Sequence, residues 1–261
     1  MRHSYLYREK WLMQVLIGFV IALMVGLTGV GGGSFTTPAL VLLVGISGAE
    51  AVGTALVFST AVRLIAAPFY ISGKQVHLQY LGLMLLGAIP GVLGGTYLLR
   101  SVTARLSTPL VLVVIGVILI SSSLFTLMRR RSPDSPGQKP ASWLAWIGLP
   151  IGIETGFSSA GAGALGTVLL FNFSGLTAAE VIGTDLVFGI ALASLGALLH
   201  FTFGTISGTV LKALLCGGIP GVLLGCVLAR HVPSHSLRKA ILLLTLIIGL
   251  QLIVAGARSL L

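Results

Sequence analysis

The sequence predicts an all-α polytopic integral membrane protein built from two homologous repeats. Each repeat is expected to contain about four transmembrane helices, together with short broken or re-entrant helices. Of the 261 residues, 56% are hydrophobic and only 8% are charged, and the mean hydropathy is +1.06. Soluble domains carry about 25% charged residues, so this composition excludes an ordinary soluble protein. Glycine-rich breaks in the apolar segments, and their recurrence at a fixed spacing, predict the broken helices and the duplication.

The two halves of the chain align with an offset of 130 residues, which places Glu50 on Glu180. The same offset pairs several glycine, threonine and proline positions: Gly31 with Gly161, Gly33 with Gly163, Thr37 with Thr167, Gly53-Thr54 with Gly183-Thr184, and Pro90-Gly91 with Pro220-Gly221. So many matches indicate an internal duplication. We therefore predict one membrane domain with a first repeat over 1–128, a linker over 129–141 and a second repeat over 142–261.

The first repeat begins with an apolar segment over 11–29. At about 1.5 Å per residue, such a helix can cross a hydrocarbon core of roughly 30 Å. The segments predicted after it are a short piece over 34–46 and spans over 50–72, 78–99 and 106–128. Ser47 and Glu50 form a Ser-x-x-Glu capping box, which predicts a helix start and gives this glutamate a structural role.

The second repeat is predicted to follow the same plan. Its segments are a helix over 143–157, a break over 158–163, a short piece ending at Phe173, and spans near 180–203, 209–229 and 237–257. If the short pieces are re-entrant, the chain has eight spans and parallel repeats, with both termini and the linker on one side. That side holds nine basic residues against five on the other, so it is expected to face the cytoplasm. If the short pieces cross fully, there are ten spans and the repeats are inverted.

The two glycine-rich breaks are the candidate substrate site. Unwound backbone within lipid must be buried in protein or line a water-filled cavity, and a helix start offers free amides and about half a positive charge to an anion. The alternative is that these glycines only allow crossing helices to pack closely. The residues predicted to bind substrate are Gly31, Gly32, Gly33, Ser34 and Thr37 in the first break, Ser158, Ser159, Gly161, Gly163 and Thr167 in the second, and Thr54 and Thr184 on the adjacent helix starts.

Arg63 lies near the middle of a predicted span, where a charge costs about 2.5–3.5 kcal/mol. Its counterpart in the second repeat, Ala193, is neutral, so either an internal acid such as Asp185 or an anionic substrate has to offset this cost. Both interpretations stay open. Asp185, Glu154 and His200 are candidates for proton or ion coupling. For Glu154 and His200 the alternative is a polar contact at a helix interface.

Other functional classes lack support in the sequence. The net charge is +10, but the basic residues cluster at the ends of apolar segments, as topology signals do, and not on the aromatic-interleaved face of a nucleic-acid-binding protein. We find no metal-ligand spacing, no phosphate-binding loop and no nucleophile paired with a histidine and an acid. The sequence therefore predicts a protein that is not an enzyme, with no metal, no cofactor and no nucleic-acid partner.

The segments GVGGGSFTTPAL, AEAVGTALVF and AEVIGTDLVF, with IPGVLLG, resemble the TauE/SafE family of sulfite exporters and related permeases. The resemblance covers nearly the whole chain. It implies a bacterial or archaeal inner-membrane protein that moves sulfur-containing anions such as sulfite, thiosulfate or organosulfonates, coupled to a gradient of protons or another ion. This chain departs from the pattern in its second repeat, where no proline matches Pro38.

We therefore expect a multi-pass transporter of the inner membrane, surrounded by lipid, whose substrate is a small sulfur oxyanion or sulfonate bound between the halves. Alternating access would come from one half rocking against the other. A small-anion channel is one alternative, and it would show no saturable, gradient-coupled exchange. A non-transporting membrane scaffold is another, but it would need a larger soluble docking surface than 129–141. Substrate identity, direction of transport, coupling ion and oligomeric state do not follow from the sequence.

Overall fold

The computed structural model describes residues 2–28, 32–71, 76–105, 108–128, 143–160, 178–203, 205–229 and 234–258, with single residues at 166, 170 and 176. The α-helices within these ranges are α1 (Arg2–Thr28), α2 (Gly33–Ala39), α3 (Gly48–Tyr70), α4 (Leu78–Arg105), α5 (Thr108–Met128), α6 (Trp143–Ser158), α7 (Ala178–Thr202), α8 (Gly208–Leu228) and α9 (Ser234–Arg258). Five of them, α1, α3, α4, α7 and α8, are long and apolar enough to cross a membrane. The predicted all-α polytopic membrane class is confirmed. The division into two repeats stays a prediction, and the linker over 129–141 lies outside the described residues.

The first break is followed by a short and irregular helical piece. Helix α2 contains Pro38 and continues into one turn of π-helix over Leu40–Val44. The turn ends at Gly45, whose φ of 78° is left-handed and suits glycine. The predicted cap is present two residues after Gly45, where the backbone N–H of Glu50 donates to Ser47 Oγ at 3.3 Å at the start of α3.

The first helix of each sequence half packs along a helix of the other half, and these are the most extensive helix contacts in the described structure. Helix α1 runs parallel to α8, with Gly217 and Gly221 against the backbone carbonyls of Val15 and Phe19. A Cβ on either glycine would overlap the carbonyl oxygen, so only glycine allows the two backbones to come this close.

Helices α4 and α6 repeat this arrangement. Gly87 and Gly91 of α4 lie against the carbonyls of Ala145 and Leu149, and the two helices are again parallel. Each glycine and each carbonyl here is displaced by 130 residues from its equivalent in the α1–α8 pair. The sequence offset is therefore matched by equivalent packing.

Helices α3 and α7, which the offset also pairs, run antiparallel. As the residue number rises along α3, the number of the contacting residue on α7 falls. The contacts are Gly53 with His200, Leu56 with Gly196, and Arg63 with Gly189. Two equivalent helices that run antiparallel are the geometry that inverted repeats produce. This contact therefore favours the ten-span alternative over the eight-span arrangement.

Buried apolar side chains among the described residues form three clusters. The first joins α1, α2, α3 and α8, and the second joins α4, α6, α7 and Leu170. The third lies where α5 and α9 meet α3, α4, α6 and α7. Apolar burial thus groups the helices without regard to the boundary between the sequence halves.

Inverted repeats predict that α5 and α9 end on opposite faces of the membrane. We expect Met128→Cys and Arg258→Cys, each in a Cys216→Ala/Cys226→Ala background, to react with an impermeant maleimide from opposite sides. Intact spheroplasts and inverted vesicles measure the side of labelling, and both native residues are exposed. If both cysteines react from the same side, the repeats are parallel and the eight-span arrangement is correct.

Gly94 and Gly95 are neighbours on α4, and we expect an added methyl group to affect the stability of the protein differently at the two positions. A Cβ on Gly95 would overlap the carbonyl oxygen of Ile153, whereas a Cβ on Gly94 would meet nothing within 4 Å. We expect Gly95→Ala to destabilise the protein by about 1–3 kcal/mol, the usual effect of overpacking. Gly94→Ala should leave stability unchanged or slightly raised, because alanine favours a helix. Thermal unfolding in detergent measures both, and equal melting temperatures for the two variants would contradict the packing.

Candidate functional site

The end of α6 contacts the start of α2, so the structure brings parts of the two predicted breaks together. Ser159 Oγ donates to the carbonyl oxygen of Gly33 at 3.0 Å and lies 2.7 Å from Thr37 Oγ1. Ser34 Oγ donates to the carbonyl oxygen of Ala160 at 3.4 Å. All five residues are buried. Hydroxyls that link two broken helices in the interior form a compact set of neutral hydrogen-bonding groups.

The backbone of Ser159 is left-handed, with φ of 65°. Such a conformation in a residue other than glycine costs of the order of 1–3 kcal/mol and persists only where neighbours hold it. Here Gly33 packs directly against the carbonyl of Ser159, where a Cβ would overlap the oxygen. The sequence contained a signal for this turn that we did not use: the offset places Ser159 on Gly29.

Arg63 is 2% exposed and reaches from α3 into the face of α7. Its guanidinium lies against Gly189, where a Cβ would overlap Nη1, and it interacts with the charge of Asp185. Asp185 is 3% exposed and lies one helical turn before Gly189, and its Oδ1 packs against Gly166. The geometry brings together the two charges that the sequence offered as a pair. A contact between Arg63 and substrate stays a prediction.

Gly189 is a residue that the sequence reasoning missed. Its lack of a side chain makes the space that the guanidinium of Arg63 occupies. The available signal was its spacing, because Gly189 follows the buried Asp185 by four residues and so shares its helix face. The charges of Arg63 and Asp185 therefore meet across the α3–α7 interface, in the space that Gly189 leaves open.

Thr54 and Thr184 each accept a hydrogen bond from the backbone just before the start of another helix. Thr54 Oγ1 accepts a hydrogen bond from the backbone N–H of Ser207 at 3.0 Å, just before α8. Thr184 Oγ1 accepts one from the backbone N–H of His77 at 3.0 Å, just before α4. Both threonines are fully buried and are thus used by the protein itself. Their predicted contact with substrate stays a prediction.

His200 makes the interface contact that the sequence offered as the alternative to proton transfer. Its Nδ1 lies 2.8 Å from Thr205 Oγ1, and its Nε2 lies 3.5 Å from the carbonyl oxygen of Gly156. The offset partner of His200 is Tyr70, which donates to the carbonyl oxygen of Gly26, the partner of Gly156. The two side chains therefore fasten equivalent helix ends, and coupling through His200 stays a prediction.

Glu154 is buried in α6, one turn before the second break, and its carbonyl oxygen accepts a hydrogen bond from Ser158 Oγ at 2.9 Å. The buried charged side chains among the described residues are Arg63, Glu154 and Asp185.

Gly32 precedes α2 and is buried. Four predicted site residues lie outside the described part of the chain: Gly31, Gly161, Gly163 and Thr167.

The described residues contain no group of three or more His, Cys, Asp or Glu side chains that could hold a metal ion. The interior instead combines hydroxyls at the contact between the breaks with a guanidinium and two carboxylates in apolar helices. These groups can bind a small polar solute and take up a proton. Both abilities belong to transport chemistry.

Comparisons with known proteins agree with this reading. Residues 14–252 match the family model described as "Sulfite exporter TauE/SafE". Two relatives from Bacillus subtilis (strain 168) are similar over 92% of this chain and 98% of their own length: "Probable membrane transporter protein YjnA", 29% identical, and "Probable membrane transporter protein YdhB", 25% identical. No solved structure matches the chain. Its helical membrane fold and the family match across nearly its whole length show that the chain belongs to the sulfite exporter TauE/SafE family of membrane transporters.

Proposed function

We propose that this protein carries a small sulfur-containing anion, such as sulfite, thiosulfate or an organosulfonate, across the inner membrane by alternating access coupled to a proton gradient. Export is the direction that the family description favours. The observation that carries the proposal is Arg63, a guanidinium buried between two apolar helices. A buried charge of this kind within a membrane is expensive and marks a substrate or ion pathway in most membrane proteins that contain one.

The guanidinium suits an oxyanion for geometric reasons. Its planar set of donors can contact two oxygens of one sulfite or sulfonate group, and it keeps its charge at every physiological pH. The hydroxyls of Ser34, Thr37 and Ser159 lie where the breaks meet, and each could exchange its present hydrogen bond within the protein for one to a bound anion. The sulfur in the proposal comes from the family description, because these groups would accept other small oxyanions as well.

The buried charges support coupling to protons. Arg63 contributes one positive charge, whereas ionised Asp185 and Glu154 contribute two negative charges to the same apolar interior. An anion that binds beside Arg63 would add a third negative charge, at high cost in a low dielectric medium. Protonation of a carboxylate removes one of these charges. We therefore expect anion binding at the site to be coupled to the protonation of a buried carboxylate.

The membrane arrangement that we propose has ten spans. The antiparallel contact of α3 with α7 supports it, and inverted repeats are a common architecture for alternating access. In this arrangement both termini lie on one face and the linker over 129–141 on the other. It therefore replaces our expectation that the termini and the linker are all cytoplasmic.

Arg63 is tested by flux of radiolabelled sulfite, thiosulfate and sulfoacetate into proteoliposomes under an imposed pH gradient. We expect saturable flux of at least one anion, and a fall of at least about tenfold in Arg63→Ala and Arg63→Lys, because a lysine cannot reproduce a bidentate contact. Size-exclusion chromatography checks that each variant is folded. If no sulfur anion shows gradient-coupled flux, the proposed substrate class is wrong.

A charge-neutral double variant separates binding from structure at Arg63. Arg63→Gln alone leaves the buried Asp185 carboxylate without its compensating charge, and this is destabilising in itself. Arg63→Gln/Asp185→Asn removes both charges and should restore the melting temperature without restoring flux. Wild-type flux in this double variant would assign Arg63 to a structural ion pair.

Two substitutions of Ser159 separate its hydroxyl from its backbone. Ser159→Gly removes the hydroxyl and accepts φ of 65° without strain, whereas Ser159→Ala removes the hydroxyl and keeps the strain. We expect the glycine variant to be more stable than the alanine variant by about 1 kcal/mol, and both to show the same loss of flux. Thermal unfolding and the same flux assay measure this. Full flux in Ser159→Gly would exclude the hydroxyl from the site.

A further inference from the structure

We infer that the two bodies that move against each other during transport are two mixed bundles, and not the two halves of the sequence. The first mixed bundle consists of α1, α2, α3 and α8. The second mixed bundle consists of α4, α6 and α7. In the first mixed bundle, α1, α2 and α3 come from the first sequence half and α8 comes from the second. In the second mixed bundle, α6 and α7 come from the second half and α4 comes from the first. We call α8 and α4 the exchanged helices. The inference rests on the proposed alternating access and identifies the parts that perform it.

Two of the three apolar clusters among the described residues follow the mixed bundles, and the third joins both of them to α5 and α9. Ile21 of α1, Phe58 of α3 and Leu214 of α8 belong to one continuous buried cluster. Ile151 of α6, Phe188 of α7 and Met84 of α4 occupy the offset positions and belong to a second. Close-packed apolar clusters resist deformation, so each cluster tends to move as a unit.

Backbone packing fastens each exchanged helix to its bundle. The glycines of α8 touch the carbonyls of α1, and the glycines of α4 touch those of α6, with no side chain between the two backbones. For one sequence half to rock against the other, α1 would have to leave α8 and α6 would have to leave α4. That motion would break the most extensive helix contacts in the described structure.

Polar contacts strengthen the same grouping. The hydrogen bond from Ser207 to Thr54 ties the start of α8 to α3, and the one from His77 to Thr184 ties the start of α4 to α7. Within the first mixed bundle, Tyr70 also joins the end of α3 to α1. Each connection between the two mixed bundles is therefore hydrogen-bonded, at its end, to the bundle that contains the next helix.

The boundary between the mixed bundles combines apolar and polar contacts, and Val52 and Leu56 of α3 share the third apolar cluster with Ala193 of α7. It contains Arg63 against Gly189, and Ser159 against Gly33 and Thr37. In this polar part of the boundary the contacts are small residues and exchangeable hydrogen bonds, which a polar substrate can replace. The predicted site therefore lies on the surface along which the bundles would separate.

Cross-linking distinguishes the two kinds of motion. Leu23 on α1 and Leu224 on α8 lie at the same level, because Gly225 touches the Leu23 carbonyl, and both are partly exposed. A cysteine at each position, in the Cys216→Ala/Cys226→Ala background, allows a bismaleimide to join the two halves within the first mixed bundle. Gly94 and Ile153 are the matching positions on α4 and α6. Thioether links are required because sulfite cleaves disulfides.

We expect both cross-linked proteins to retain most of the flux of sulfite, thiosulfate or sulfoacetate that the single-cysteine variants show after the same treatment. A protease site placed in the 129–141 linker reports the extent of linkage, since linked halves stay together on a denaturing gel after cleavage. Loss of flux on linking, confined to the double-cysteine proteins, would overturn the mixed bundles and restore the rocking halves.

A second measurement needs no substrate and so separates this inference from the proposed function. Maleimide nitroxides on Leu16 and Val227 report within the first mixed bundle, and those on Leu16 and Tyr97 report within one sequence half; all three residues are exposed. In lipid nanodiscs we expect a narrow distance distribution for the first pair and a broad or two-peaked one for the second. The reverse pattern, or two equally narrow distributions, would overturn the inference. Absence of flux for all three anions would instead overturn the proposed function.

Discussion

The direct packing of glycine against backbone carbonyls, between α1 and α8 and between α4 and α6, is the contact on which the rest of the structure depends. In a membrane, apolar association gains little, so helices pair where small residues let backbones approach. Here the approach joins helices from opposite halves of the chain. It interleaves the helices of the two sequence halves.

The described part of the chain contains three buried charged side chains, although a charge within a bilayer is costly. Arg63 and Asp185 face each other across α3 and α7, and the space for the guanidinium exists because residue 189 is glycine. The pair also breaks the pseudo-symmetry, since the offset positions carry Ala193 and Ala55. In the function that we propose, this asymmetric polar contact is the place where the anion binds.

Much of the helical layout followed from hydropathy and turn residues. The predicted spans over 50–72 and 209–229 correspond to α3 and α8, and the short piece over 34–46 corresponds to α2 with its π-helical turn. The cap at Ser47 was recognised from its spacing. These features depend on residues close together in the chain. The site was anticipated less completely, because the contacts of Ser159 with Gly33 and Thr37 join residues more than 120 positions apart.

The sequence by itself indicated a helical membrane transporter of the family to which the chain belongs, and it indicated that the charge of Arg63 has to be compensated. Composition, local turn chemistry and the repeat are properties of the chain read in order. Only the tertiary structure showed that α3 and α7 run antiparallel, and that α8 packs on α1 and α4 on α6. It also showed that Ser159 adopts a left-handed conformation where it contacts Gly33. Those outcomes depend on which surfaces pack together, and packing partners are not encoded in any one segment.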